Sequence, residues 1–107
     1  MLWLILGSMS NSEPDLTKKL QAIADPTRRR ILQALKERGG CSIGKDTGLC
    51  AVDIEQRMQL SQPTISHHMS VLNNAGLLKA QKLGLWMWYQ RDETAIREFT
   101  RALRKGL

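Results

Sequence analysis

A mainly helical domain carrying one small β-hairpin is what this sequence predicts, on three observations. Apolar residues recur at helical spacing between capping and glycine signals. A short helix is followed almost at once by a second one whose outer side is polar and free of carboxylates. Near the C-terminal end, two short apolar runs are split by a single glycine before a last helix begins. The 107 residues suffice for one domain with a modest core, and at that size pairing with a second copy would bury further apolar surface.

The opening Met1-Leu-Trp-Leu-Ile-Leu-Gly7 is apolar but lacks a basic flank and falls far short of the roughly 20 residues that cross a bilayer. Neither a signal peptide nor a membrane anchor is expected from it. Met9 opens a polar run that looks like a more natural start, so residues 1–8 read as an upstream extension. Residues 1–13 are assigned to a flexible N-terminal extension and 14–107 to the folded domain.

Glu13-Pro14-Asp15 marks a helix start, and Leu16, Leu20 and Ile23 follow at i, i+4 and i+7, which predicts helix one over about 14–24. Asp25-Pro26 repeats the signal for helix two, about 26–37, with Ile31, Leu32 and Leu35 inside and Gly39-Gly40 beyond its end. Arg28, Arg29 and Arg30 lie in its first turns, where the positive dipole end disfavours cations. They read as solvated, with one pairing to a nearby acid. Cys41 to Leu49 holds two glycines and no helical period, hence a loop. Cys50 to Gln59 is a short helix with Cys50, Ile54 and Met58 on one face.

Ser61 then stands as an N-cap, Pro63 is tolerated in the first turn, and Ile65, Met69 and Leu72 form an apolar stripe that Gly76 terminates. The helix runs from Gln62 to about Ala75. Opposite the stripe fall Pro63, Ser66, His67, Ser70 and Asn74, flanked by Gln62 and Thr64. Taken alone this is also what an ordinary surface helix looks like. From Ser61 to Arg91, however, there is no Asp or Glu, while Lys79, Lys82, Arg91 and both histidines lie inside. With 16 Lys and Arg against 10 Asp and Glu, a net charge of +6, such a surface suits a phosphate-lined groove.

Beyond Gly76, Leu77 to Leu83 and Leu85 to Arg91 form a hairpin around Gly84. Leu85, Met87 and Tyr89 alternate with Trp86 and Trp88, so one set can pack on the helices while the tryptophans face outward or toward a partner. Asp92-Glu93-Thr94 caps a last helix with Ile96, Phe99 and Leu103 inside and Arg97, Arg101, Arg104 and Lys105 on its basic side. The order α-α-α-α-β-β-α, with a polar second helix after a tight turn, is that of a winged helix-turn-helix, whose second helix enters the DNA major groove.

At Asp25-Pro-Thr-Arg-Arg-Arg-Ile-Leu, at Leu60-Ser-Gln-Pro-Thr-Ile-Ser-His-His-Met, and at Leu72 to Leu77 with the hairpin, the chain resembles the ArsR (ArsR/SmtB) family of bacterial transcriptional repressors. The match covers about residues 15–105. The resemblance implies a homodimer joined through the first and last helices, bound to an imperfect palindromic operator in double-stranded DNA and released by an inducer. It puts base-edge contacts on Gln62, Ser66 and His67, with Pro63 where a serine often stands, and His68 inward. Thr64 and Ser70 complete the expected DNA-facing side, and Lys79 and Lys82 would add phosphate attraction from the wing.

Two departures from the family pattern bear on function. The hairpin tip, Leu83-Gly-Leu-Trp, lacks the basic residues common there, which argues against deep insertion of the wing into the minor groove. The family's Cys-x-Cys-Asp metal phrase reads Cys50-Ala-Val-Asp53, one thiolate short, and the last helix has no histidine for the other common site. No metal site and no required cofactor is therefore expected. Cys41 and Cys50 remain as candidate sensors of a thiophilic metalloid or of oxidation, against a plain reading of one buried small hydrophobe and one loop thiol.

Two cysteines are too few for a disulfide-built scaffold, so a reducing compartment, the cytoplasm, is expected. No catalytic set is in evidence, since the cysteine and histidine candidates lie on a loop and on the polar helix. The competing function is a winged helix used for protein contact, with Trp86, Trp88 and the tryptophan-bearing N-terminus as its apolar patch.

Overall fold

Residues 15–107, described by a computed structural model, form five helices and a three-stranded antiparallel sheet. The proposed N-terminal extension and the Glu13-Pro14 helix start lie outside the described residues. Helix α1 is described over 15–23, and α2 spans Pro26–Lys36. Then come β1 (Leu49–Cys50), α3 (Ala51–Met58), α4 (Gln62–Asn74), β2 (Leu78–Leu83), β3 (Trp86–Arg91) and α5 (Glu93–Gly106).

The predicted apolar stripes meet in one core. Ile31 and Leu35 of α2, Ile54 and Met58 of α3, Ile65, Met69 and Leu72 of α4, and Phe99 of α5 are all buried and in one cluster. Caps begin two of the helices as the sequence predicts: an Asp25 carboxylate oxygen accepts from the Arg28 amide at 3.0 Å, and Asp92 from the Ala95 amide at 3.1 Å. Ser61 behaves differently. It occupies the N-cap position of α4, but its hydroxyl lies 2.9 Å from the Thr64 hydroxyl and bonds no amide of the helix.

Two features escape local patterning. The loop after α2 ends in β1, whose Leu49 and Cys50 pair with Tyr89 and Trp88, so β3 of the wing is the middle strand of a three-stranded sheet in the order β1-β3-β2. The loop is also fastened from the far side: the Trp88 indole donates to the Thr47 carbonyl at 3.0 Å, and Lys45 stands 5.4 Å from the centre of its ring. Trp88 thus keeps the face it shares with Trp86 but is half-buried under this loop, which corrects the expectation that both tryptophans face outward or toward a partner. Gly48, at φ +78°, leaves no room for a Cβ against the Tyr89 carbonyl and the Trp88 ring.

Candidate nucleic-acid interface

The turn between α3 and α4 is three residues long, Gln59 to Ser61, and Gln59 takes the left-handed conformation at φ 56° that stops α3 and redirects the chain. With Ile65, Met69 and Leu72 held in the core, α4 can present only its other side. Gln62, Pro63, Thr64, Ser66, His67 and Ser70 are all exposed there. No acid occupies its first turn, so the positive end of the helix dipole and its free amides meet solvent unopposed.

Behind that face the helix is clasped. Arg28 donates from Nε to the Ala22 carbonyl at 2.6 Å and from Nη2 to the Gln21 carbonyl at 3.1 Å, while Nη1 reaches Nδ1 of His68 at 3.2 Å. A guanidinium has no acceptor, so His68 offers its lone pair at Nδ1 and its proton at Nε2. Arg29 adds a bond from Nη1 to the Ile23 carbonyl at 2.6 Å. These two arginines cap the C-terminal carbonyls of α1 in place of the expected pairing with an acid. His68 is half-buried and turned inward, whereas its exposed neighbour His67 lies on the outer face, the ring centres 5.8 Å apart.

Lys79 and Lys82 are exposed on β2, on opposite faces of the hairpin. The register settles this: Lys79 stands across from Gln90 and Lys82 across from Met87, and residues three apart in a strand point to opposite sides. Around the tip, Leu85 is 97% exposed, Trp86 46% and Met87 38%. The outward direction of Trp86 is as the sequence predicts, whereas Leu85 and Met87, expected to pack on the helices with Tyr89, are exposed because the tip extends beyond the helices that could cover them.

The thiols lie elsewhere, under the loop before α3. Cys41 and Cys50 are both buried and unbridged. Cys50 donates its S–H to Oδ2 of Asp53 at 3.0 Å, and the same oxygen accepts the Ser42 amide at 3.1 Å and the Cys50 amide at 3.3 Å. The Ser42 hydroxyl lies 3.3 Å from the Cys50 sulfur. Burial pushes the Asp53 carboxyl up, but these hydrogen bonds outweigh it and hold it below the usual carboxylate range. Among the described residues no three of His, Cys, Asp and Glu gather as metal ligands would. Nor is any described helix long and apolar enough to cross a membrane.

A winged helix whose second helix-turn-helix element is free, polar and carboxylate-free defines a DNA-binding module. Residues 25–80 match the model of the bacterial regulatory protein, arsR family. The chain is 37% identical over 78 residues to an uncharacterized HTH-type transcriptional regulator of Methanocaldococcus jannaschii, a match spanning 73% of this chain and 79% of that one. It is 35% identical to the transcriptional repressor SdpR of Bacillus subtilis, over 73% and 77% of the two chains. An arsenical resistance operon repressor of Staphylococcus aureus is also 35% identical, over 79% and 73%. The chain belongs to the arsR family, and it is a DNA-binding transcriptional regulator.

Solved structures agree on the fold. An ArsR-like transcriptional regulator from Rhodococcus superposes with a TM-score of 0.74 at 22% identity, covering 89% of this chain and 81% of that one. The homodimeric winged helix-turn-helix DNA-binding domain of a possible ArsR-family regulator from Mycobacterium bovis gives 0.71 at 18%, covering 92% and 83%.

Proposed function

We propose that two copies of this chain, joined through α1 and α5, repress transcription by holding an imperfect palindromic operator with α4 of each copy in a major groove. The observation that carries the reading is the outer side of α4, where six hydrogen-bonding or shape-giving residues stand exposed without a carboxylate. Gln62 pairs with an adenine edge, Ser66 takes either role, and His67 donates or accepts. Pro63 gives shape, Thr64 and Ser70 reach the sugar-phosphate backbone, and Lys79 and Lys82 attract phosphates without reading sequence.

The test is selection from a pool of randomised duplexes, followed by binding at two salt concentrations. Bound sites are expected to show half-sites about 10 bp apart, or a multiple of that, centre to centre. Gln62→Ala and His67→Ala relax base preference by about 1–3 kcal/mol, with the single-bonded histidine at the lower end. Lys79→Ala and Lys82→Ala weaken all sequences alike and flatten the salt slope by about one unit each. Equal loss of specificity from all four changes would mean that α4 does not read the bases.

For release, we propose a thiophilic metalloid or an oxidant acting at Cys41 and Cys50, with no cofactor required for DNA binding. Support comes from relatives described as an arsenical resistance operon repressor and as a cadmium resistance regulatory protein homolog. It comes also from the position of Cys50, whose bond to Asp53 closes the start of the helix that braces α4. A reagent reaches these buried thiols only when the loop before α3 opens, and its attack breaks that bond. Trivalent arsenic or oxidant is therefore expected to weaken operator binding by the wild type and to leave Cys50→Ser unaffected. Unchanged release from Cys41→Ser/Cys50→Ser would place the signal elsewhere.

A further inference from the structure

We infer that the apolar tip of the wing is a wedge that inserts between base pairs in the minor groove beside each half-site. The inference rests on the DNA-binding reading and adds a second, physically different contact to it. Strands β2 and β3 are joined by the two residues Gly84 and Leu85, with Gly84 at φ +62° and Leu85 not in the left-handed region. That is the pattern of a tight turn with glycine first, in which the second place is ordinarily taken by a polar residue such as Asn, Asp or Ser. Here it is leucine, 97% exposed. Trp86 and Met87 beside it are also exposed, so the apolar residues are contiguous at the turn end of the hairpin.

Three observations favour duplex DNA as the occupant. First, no carboxylate lies between Glu55 and Asp92, so the hairpin itself carries no group that repels phosphates. Lys79 and Lys82 add attraction on opposite faces of the hairpin, as two strands of phosphates flanking an inserted tip require. Second, the wing continues the α4 surface: α4 packs against β2, and only Ala75, Gly76 and Leu77 separate them. The six-residue strands carry the tip roughly 17–20 Å outward, enough to pass a phosphate ridge when α4 lies in the major groove. Third, a single leucine flanked by a flat indole is the shape that enters a groove about 6 Å wide and unstacks a step. The work of unstacking selects flexible pyrimidine–purine steps, so the tip contributes sequence preference without a hydrogen bond.

The test uses the full chain and duplexes obtained by the selection above, with 2-aminopurine placed in turn at each step flanking a half-site. The wild type is expected to raise its emission at one step by unstacking it, and to bend the duplex as measured by energy transfer between its ends. Leu85→Ala abolishes both signals and weakens binding roughly five- to twenty-fold. Leu85→Met, which keeps an apolar wedge, restores them. Leu85 is exposed, so the variants fold, and circular dichroism confirms it. If the wild type binds the selected duplexes but no step unstacks and no bend appears, the wedge is overturned while the DNA-binding reading stands. The tip would then be a surface for protein contact. If the pool yields no preferred duplex, the DNA-binding reading itself fails first.

Discussion

At Asp53 a single carboxylate oxygen gathers the Cys50 thiol, the Cys50 amide and the Ser42 amide, and so fixes where α3 begins. Its folded-state pKa is depressed, so the stabilisation it gives is present above the unfolded-state value and is lost as pH falls through the folded one. Asp53→Asn is expected to cost about 1–3 kcal/mol at neutral pH, because a bonded thiol or amide loses its ionised acceptor. Between about pH 5 and pH 2 the wild type should lose more stability to acid than the variant does. Urea melts at both ends of that range check this, and equal acid slopes would exclude Asp53 as a contributor. The sequence marked this aspartate as the last residue of a thinned metal phrase. What it bonds depends on the loop folding back over α3, and no local period encodes that. His68, by contrast, was legible as inward, though its partner Arg28, forty residues away, was not.

Helices were the legible elements, because buried stripes at i, i+4 and i+7 between proline, aspartate and glycine signals repeat the same instruction several times over. Strand β1 was not: two residues carry no alternation, and only their pairing with β3 makes them a strand. The hairpin itself was readable, but the direction of Trp88 was not, since alternation assigns a face and does not say that a loop will cover it. The two helix starts make a direct comparison. Asp25 caps α2 with a bond to an amide, and Asp25→Ala is expected to lower the denaturant midpoint. Ser61 makes no such bond at α4, so Ser61→Ala should cost less than about 0.5 kcal/mol in the same denaturant titration. Equal losses would show that the serine hydroxyl turns to the helix in solution. A free first turn at α4 also leaves its amides available to a phosphate.

At the scale of the whole molecule, the outer side of α1 and α5 is a second region, besides the wing tip, that leaves apolar surface uncovered within one copy. Leu20 is 36% exposed on α1, Leu16 and Ile96 are only partly buried, and a groove between the two helices is lined by Leu16, Ala95, Phe99 and Ala102 together with the charged Asp15, Lys19 and Glu98. Pairing of two copies across this side, as proposed above, would cover that surface, and the palindrome expected of the operator requires a two-fold axis. Arg28 and Arg29 then acquire a role beyond their own helix. They tie the end of α1 to α2, and through Arg28 and His68 to α4, so in the proposed dimer the spacing of the two reading helices would follow from how the α1 helices meet. Leu20→Glu puts a charge into that seam without touching α4 or the wing. It is expected to convert the dimer to a monomer in sedimentation. Operator affinity should fall by a factor of about 100 or more, because the second half-site is no longer held at high effective concentration. Binding to an isolated half-site should change little. A Leu20→Glu protein that stays dimeric, or one that loses half-site and full-site binding equally, would move the seam away from α1.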